Sequence, residues 1–155
     1  MNQSPLVSPL HMLPSLLFSS RVRYNKLARE VRELAEAISK LPEGPFRVKQ
    51  STELTDKLYG VGLIKTKRLK KANVVTVKSF CRRRLPVFMV QSGMFEGSIE
   101  TAAMYVTHGH VRIGPHVVRD PAFLVARDQQ DFLTWTESFK KKIQEYNNQV
   151  DDYED

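Results

Sequence analysis

Between Lys65 and Arg84 the chain carries Lys65, Lys67, Arg68, Lys70, Lys71, Lys78, Arg82, Arg83 and Arg84, with no acidic residue among them. A guanidinium is planar and always charged, and it offers forked donors that match phosphate oxygens; an ammonium adds a compact point charge. Such a run suits a polyanion. The whole chain points the same way: 155 residues carry a net charge of +7, with a sequence pI near 9.6. Nucleic acid is the expected partner, and an anionic membrane surface is the competing one. The last five residues, Asp151-Asp152-Tyr153-Glu154-Asp155, are almost all acidic and imply a different neighbour.

Other chemistries find little support. His108, His110 and His116 invite a metal reading, but Cys81 is the only soft fourth ligand, and a closed zinc site needs convergent ligands. We expect no metal and no cofactor. His110 is read either as a phosphate neighbour or as a packed or solvated imidazole. Arg112 and Arg119 join it as candidate nucleic-acid contacts. No Gly-rich phosphate loop, nucleophile elbow or convincing carboxylate pair is present, so neither catalysis nor a small-molecule substrate is expected. Cys81 is the single cysteine and cannot form an internal disulfide, which suits a reducing compartment. Met1–Ser20 has no charged residue and is broken by Pro5, Pro9 and Pro14. It reads as neither a membrane span nor a signal peptide, and no membrane partner is expected.

The elements that must hold these residues follow from periodicity. Leu27, Val31, Leu34, Ile38 and Leu41 recur every three or four residues and predict an amphipathic helix over 21–41. That seam packs either on its own domain or on another protein's helix. Pro42–Pro45 ends it. Ser51 or Thr52 caps a second helix through Tyr59 that buries Leu54, Leu58 and Val61. The basic stretch 65–73 has no apolar period and reads as a loop. A helix begins at Arg83 or Arg84 and stops near Ser92-Gly93, and Ser98 caps the next one, to about Thr107. Val111 and Ile113, with Arg112 on the opposite face, form a strand. Gly114-Pro115 turns it into a second one that includes Val118. Phe132, Trp135, Phe139, Ile143 and Tyr146 predict a C-terminal amphipathic helix.

A helix with small and apolar residues, a Gly-containing turn, a short hairpin, then Pro and an aromatic strand: this order resembles the S4-type RNA-binding domain. The landmarks are Arg84-Leu85, Ser98, Ala102, His108-Gly109-His110, Val118, Pro121 and Val125. Arg23-Tyr24-Asn25-Lys26-Leu27, Asp56–Leu63, Ser79–Pro86 and Asp131–Trp135 extend the resemblance to the S4-domain family of the U3 small nucleolar ribonucleoprotein. It covers the chain from about Arg21 onward. The family is strongly basic where this chain has Met1–Ser20. That segment is therefore read as divergent and unstructured, either an alternative start or a gene-model artefact. A second departure lies on the helix after Ser98. Many S4-type members carry Arg where this chain has Ile99 and Ala103, and Glu100 adds negative charge, which shifts the expected RNA contact toward Lys65–Arg84, His110, Arg112 and Arg119.

The resemblance implies an α+β fold: an S4-type unit of two helices plus a small antiparallel hairpin sheet, flanked by N-terminal helices and a C-terminal amphipathic helix. The expected divisions are 1–20 (divergent), 21–80 (helical, with the basic loop), 81–130 (S4-type) and 131–155 (helix and acidic tail). It implies a non-catalytic RNA-binding role in the nucleolus. There the protein would promote or stabilise pairing of U3 small nucleolar RNA with precursor ribosomal RNA during small-subunit biogenesis. Its partners would be those two RNAs and proteins of the small-subunit processome, including the M-phase phosphoprotein ten scaffold. An S4-family ribosomal protein and a protein-interaction adaptor are the alternatives.

Overall fold

The computed structural model describes residues 13–151. The expectations for Met1–Met12 and for the end of the acidic tail, Asp152–Asp155, lie outside the described residues. The helix α1 spans Leu13–Lys40 and so begins before Arg21; residues 13–20, expected to be unstructured, are helical. α2 (Pro45–Val61), α3 (Leu69–Ala72) and α4 (Val77–Cys81) follow. α5 (Leu85–Gln91) and α6 (Ile99–Thr107) lead into β1 (Val111–Ile113) and β2 (His116–Val117). A single 3-10 turn at Gln130–Phe132 precedes β3 (Leu133–Trp135) and α7 (Glu137–Asp151).

The helices start and stop for local reasons. Pro45 sits in the first turn of α2, where its missing N–H costs nothing. The helix therefore starts six residues before Ser51, runs through Gly60, and ends at Gly62. Gly62 has φ 87°, a left-handed conformation in which its N–H reaches the Tyr59 carbonyl. Ser98 caps α6 as expected, its hydroxyl accepting from the Thr101 N–H at 3.1 Å. The stretch 65–73 is not loop throughout, because Leu69–Ala72 closes a helical turn that buries Ala72.

The sheet is antiparallel with strand order β2-β1-β3. Arg112 pairs with Val117 across the hairpin and with Thr134 on the other side. β3 corrects the sequence reading. Phe132 and Trp135 belong to a turn and a strand, and the C-terminal helix starts only at Glu137. Around Pro121–Val125, where a strand was expected, the chain makes one bridge, between Leu124 and Arg84.

Two apolar clusters hold the fold. The first packs α1, α2, α3 and α4 around Tyr24, Ala28, Ala35, Leu58, Val75 and Phe80; the Tyr24 and Phe80 rings stack at 5.2 Å. The second packs α5 and α6 on the sheet around Leu85, Met89, Val106, Val111 and Val125. The predicted α1 seam is half right. Ile38 is buried, but Leu27 and Leu34 are 44% and 50% exposed, while Tyr24, Ala28 and Ala35 face the core.

Candidate nucleic-acid interface

Arg82, Arg83 and Arg84 follow the last turn of α4 and precede α5. Successive side chains on a helical turn diverge by about 100°, so three adjacent arginines cannot form one flat patch. Arg82 is exposed and lines a cleft of about 360 Å³. Arg84 is half-buried and lines a different, larger groove of about 890 Å³. Arg83 is 9% exposed. Its Nε and Nη2 donate to the Val125 carbonyl at 2.8 and 2.6 Å, and its guanidinium lies 4.9 Å from the centre of the Phe88 ring. Burial, and then the neighbouring Arg127 charge, push the Arg83 pKa below its ordinary value. Arg83, a candidate nucleic-acid contact in the sequence, is anchored inside the protein, with only its edge reaching the cleft.

Lys65, Lys67 and Arg68 on the α2–α3 connection, and Lys70 and Lys71 on α3, are all exposed. Lys67 is the one already engaged: its ammonium bonds Asp56 at 2.8 Å and sits 5.2 Å above the centre of the Tyr59 ring, and the Asp56 carboxylate raises its pKa. Lys65 lines the 360 Å³ cleft together with Arg82, Arg83 and Arg127. Arg127 was missed in the sequence, where it is an isolated cation. Folding makes it a tie: Nε donates to the Tyr59 carbonyl and Nη2 to the Ile64 carbonyl, each at 3.0 Å, and the guanidinium lies 4.1 Å from the centre of the Tyr59 ring.

The larger groove runs between α1 and the start of α4, α5 and α6. Arg21, Arg32, Lys78 and Arg84 surround an apolar floor that includes Pro86 and Ile99. Arg21 and Arg32 were not among the candidates; their outward positions on α1 are visible only once the helix has a buried face. Ile99, Glu100 and Ala103 line this groove. The face of α6 that lacks arginine is thus opposite cations supplied by α1.

On the hairpin side two of the three candidates are committed to contacts within the protein. The His110 ring stacks on Phe139 at 4.6 Å and 22°, and burial, then the His108 and Lys142 charges, lower its pKa. Arg112 donates from Nη2 to Glu137 at 2.8 Å and from Nε to the Thr134 hydroxyl at 3.3 Å, tying β1 to α7 and β3. Arg119 is exposed and passes over Gly109, where an added Cβ would come within 3.0 Å of its Nε. The structure therefore gathers Lys65, Arg82, Arg83 and Arg127 in one cleft and Arg84 in another groove. His110, Arg112 and Arg119 sit apart from both linings. Among the described residues, no helix is long and apolar enough to cross a membrane, and no three His, Cys, Asp or Glu side chains come together to hold a metal.

Comparison with known proteins matches residues 83–131 to the S4 domain family. Among curated proteins, the U3 small nucleolar ribonucleoprotein protein IMP3 of Mus musculus is 48% identical over 136 residues, 85% of this chain and 73% of that protein. The Saccharomyces cerevisiae protein of the same name is 42% identical over 137 residues, 85% of this chain and 74% of that protein. More distantly, the small ribosomal subunit protein uS4 of Ignicoccus hospitalis is 30% identical over 122 residues, 77% of this chain and 72% of that protein.

Proposed function

The chain belongs to the IMP3 family of U3 small nucleolar ribonucleoprotein proteins, and from that membership we propose that it is a non-catalytic RNA-binding component of that particle. The observation that carries the reading is the extent of the likeness: the 48% identity spans 85% of the chain and so reaches well outside residues 83–131. The ribosomal relatives, at 30% and below, rank behind it.

In this reading the protein promotes or stabilises pairing of U3 small nucleolar RNA with precursor ribosomal RNA in the nucleolus. Bringing two RNAs together brings two polyanions together. Exposed cations along Lys65–Lys71, with Arg82, lower that repulsion and hold the duplex by its backbone, without reading sequence. The work needs no nucleotide site. Processome proteins, including the M-phase phosphoprotein ten scaffold, complete the set of proposed partners. The protein's own RNA is the test. Immunoprecipitation of the tagged chain from nuclear extract, followed by RNA sequencing, is expected to recover U3 RNA and precursor ribosomal RNA. Recovery of mature small-subunit RNA alone would replace this reading with the ribosomal one.

A further inference from the structure

The cleft between the basic loop and α5 differs from an ordinary basic surface. Two of its four cations are held in place by the protein yet remain electrically uncompensated. Arg83 donates to the Val125 carbonyl, and its Nη1 and Nη2 lie 3.4 Å from the Gln130 amide oxygen. Arg127 donates to the carbonyls of Tyr59 and Ile64. These partners are neutral dipoles. They satisfy the donors and fix the planes of both guanidiniums, but they do not cancel a full charge. The two groups also repel each other: burial first, and then the Arg127 charge, lower the pKa of Arg83. At the cleft mouth stand Lys65 and Arg82, both exposed. Among the described residues none of the four forms an ion pair with a carboxylate, and no acidic side chain lines the cleft.

Four cations around about 360 Å³, two of them pre-oriented, make an anion site that needs little reorganisation on binding. The space is many times a water molecule's share of the liquid, about 30 Å³, so the site can admit a group larger than a single ion. The chain continues from Lys65 into Arg68, Lys70 and Lys71, all exposed. A cationic track of this length suits a repeating anion better than a solitary one.

We propose that this cleft binds a phosphodiester group of the RNA, at the junction between the basic loop and the S4 unit and apart from the groove lined by Arg84. The proposal rests on the RNA-binding reading above and gives it a location. Arg83 and Arg127 act as the fixed back wall, and Lys65 and Arg82 close on the phosphate from the mouth. Gln91, exposed on the same wall, contributes an uncharged amide.

The experiment is a filter-binding titration of the full chain on in-vitro transcribed U3 RNA at several salt concentrations, with a thermal melt of each protein. One variant combines Lys65→Gln and Arg82→Gln. Another, Gln91→Glu, puts a carboxylate on the cleft wall without changing its shape. A third, Arg84→Gln, probes the other groove. The double variant is expected to melt like the parent and to show a salt slope shallower by about one, the signature of one lost phosphate contact. Gln91→Glu is expected to weaken binding several-fold at low salt, with the difference shrinking as salt rises. Because Arg84 lines the other groove, combining Arg84→Gln with Gln91→Glu is expected to give the sum of the two single effects. If the double variant fails to fold, Gln91→Glu decides. Parental affinity and slope in folded cleft variants would overturn the cleft proposal while leaving the RNA-binding reading intact. A wild-type protein that binds U3 RNA weakly and without salt dependence would overturn both.

Discussion

Arg82, Arg83 and Arg84 show what a run of identical residues conceals. Composition reveals that the region is basic; only the backbone turn reveals that one guanidinium faces a cleft, one the interior and one a second groove. Arg83 was legible as a cation and illegible as an anchor, because its acceptor, the Val125 carbonyl, lies 42 residues away. Replacing all three together is therefore expected to disturb folding, whatever it does to binding. Arg83→Met is expected to lower unfolding free energy by about 1.5–3 kcal/mol, the usual worth of hydrogen bonds to a charged group, read by urea denaturation. Arg82→Gln should leave the urea midpoint unchanged. Gly62 belongs to the same anchor. Its φ is 87°, and a Cβ there would lie 2.6 Å from Arg83 Nε. Gly62→Ala is expected to cost at least about 1–2 kcal/mol from the left-handed backbone alone, with the displaced guanidinium adding to it. A urea midpoint within error of the parent would remove both arguments.

At the scale of elements, the local signals that were read correctly are those that act locally. Ser98 caps α6 and Gly114-Pro115 turns the hairpin, because a hydroxyl or a permissive φ works within a few residues. Ser98→Ala should accordingly cost about 0.5–2 kcal/mol, visible as a lower melting temperature. The misreadings have a tertiary origin. Phe132, Trp135 and Phe139 have helical spacing, yet Leu133–Trp135 pairs with β1, and a partner strand so far upstream in the sequence leaves no mark on a local pattern. In α1 the large Leu27 and Leu34 drew attention, while small Ala28 and Ala35 are what allow close helix contact. The docking of α7 is open to test through His110, which stacks on Phe139. Its folded pKa is depressed below 6.5, so in the window between that depressed value and 6.5 the unfolded chain binds more protons than the folded one. Stability from this contact is complete above 6.5 and is lost as pH falls through the folded value. Trp135, 4.9 Å from Phe139, reports on it. Its fluorescence should titrate below pH 6.5 in the parent and stay flat over that range in His110→Gln.

At the scale of the whole molecule, the described residues form two apolar clusters joined by a few directed bonds, and that joint was the least legible feature of all. The sequence suggested a division at residues 80 and 81; Phe80 of α4 packs in the first cluster and Leu85 of α5 in the second. What could not be seen is how tightly the two sides are tied. Arg127 N–H donates to the Gly60 carbonyl at 2.8 Å. The Arg127 side chain then reaches back to Tyr59 and Ile64 on the helical side. The unit that matches the S4 domain, residues 83–131, thus leans on the end of α2. Two probes separate the halves. Trp135, the only tryptophan, packs against the second cluster, whereas far-ultraviolet circular dichroism is weighted toward α1 and α2. Coincidence of two such probes is the mark of a single cooperative transition. In the parent, the fluorescence and dichroism curves in urea are expected to superimpose. Arg127→Ala removes both side-chain bonds and the cover over the Tyr59 ring, while leaving each cluster's own apolar residues in place. Its two curves should part, with dichroism and Trp135 fluorescence giving different midpoints. Superimposed curves in Arg127→Ala, shifted together or not at all, would mean that apolar packing and the backbone bond to Gly60 suffice to couple the halves, and that the Arg127 side chain serves the cleft rather than the joint.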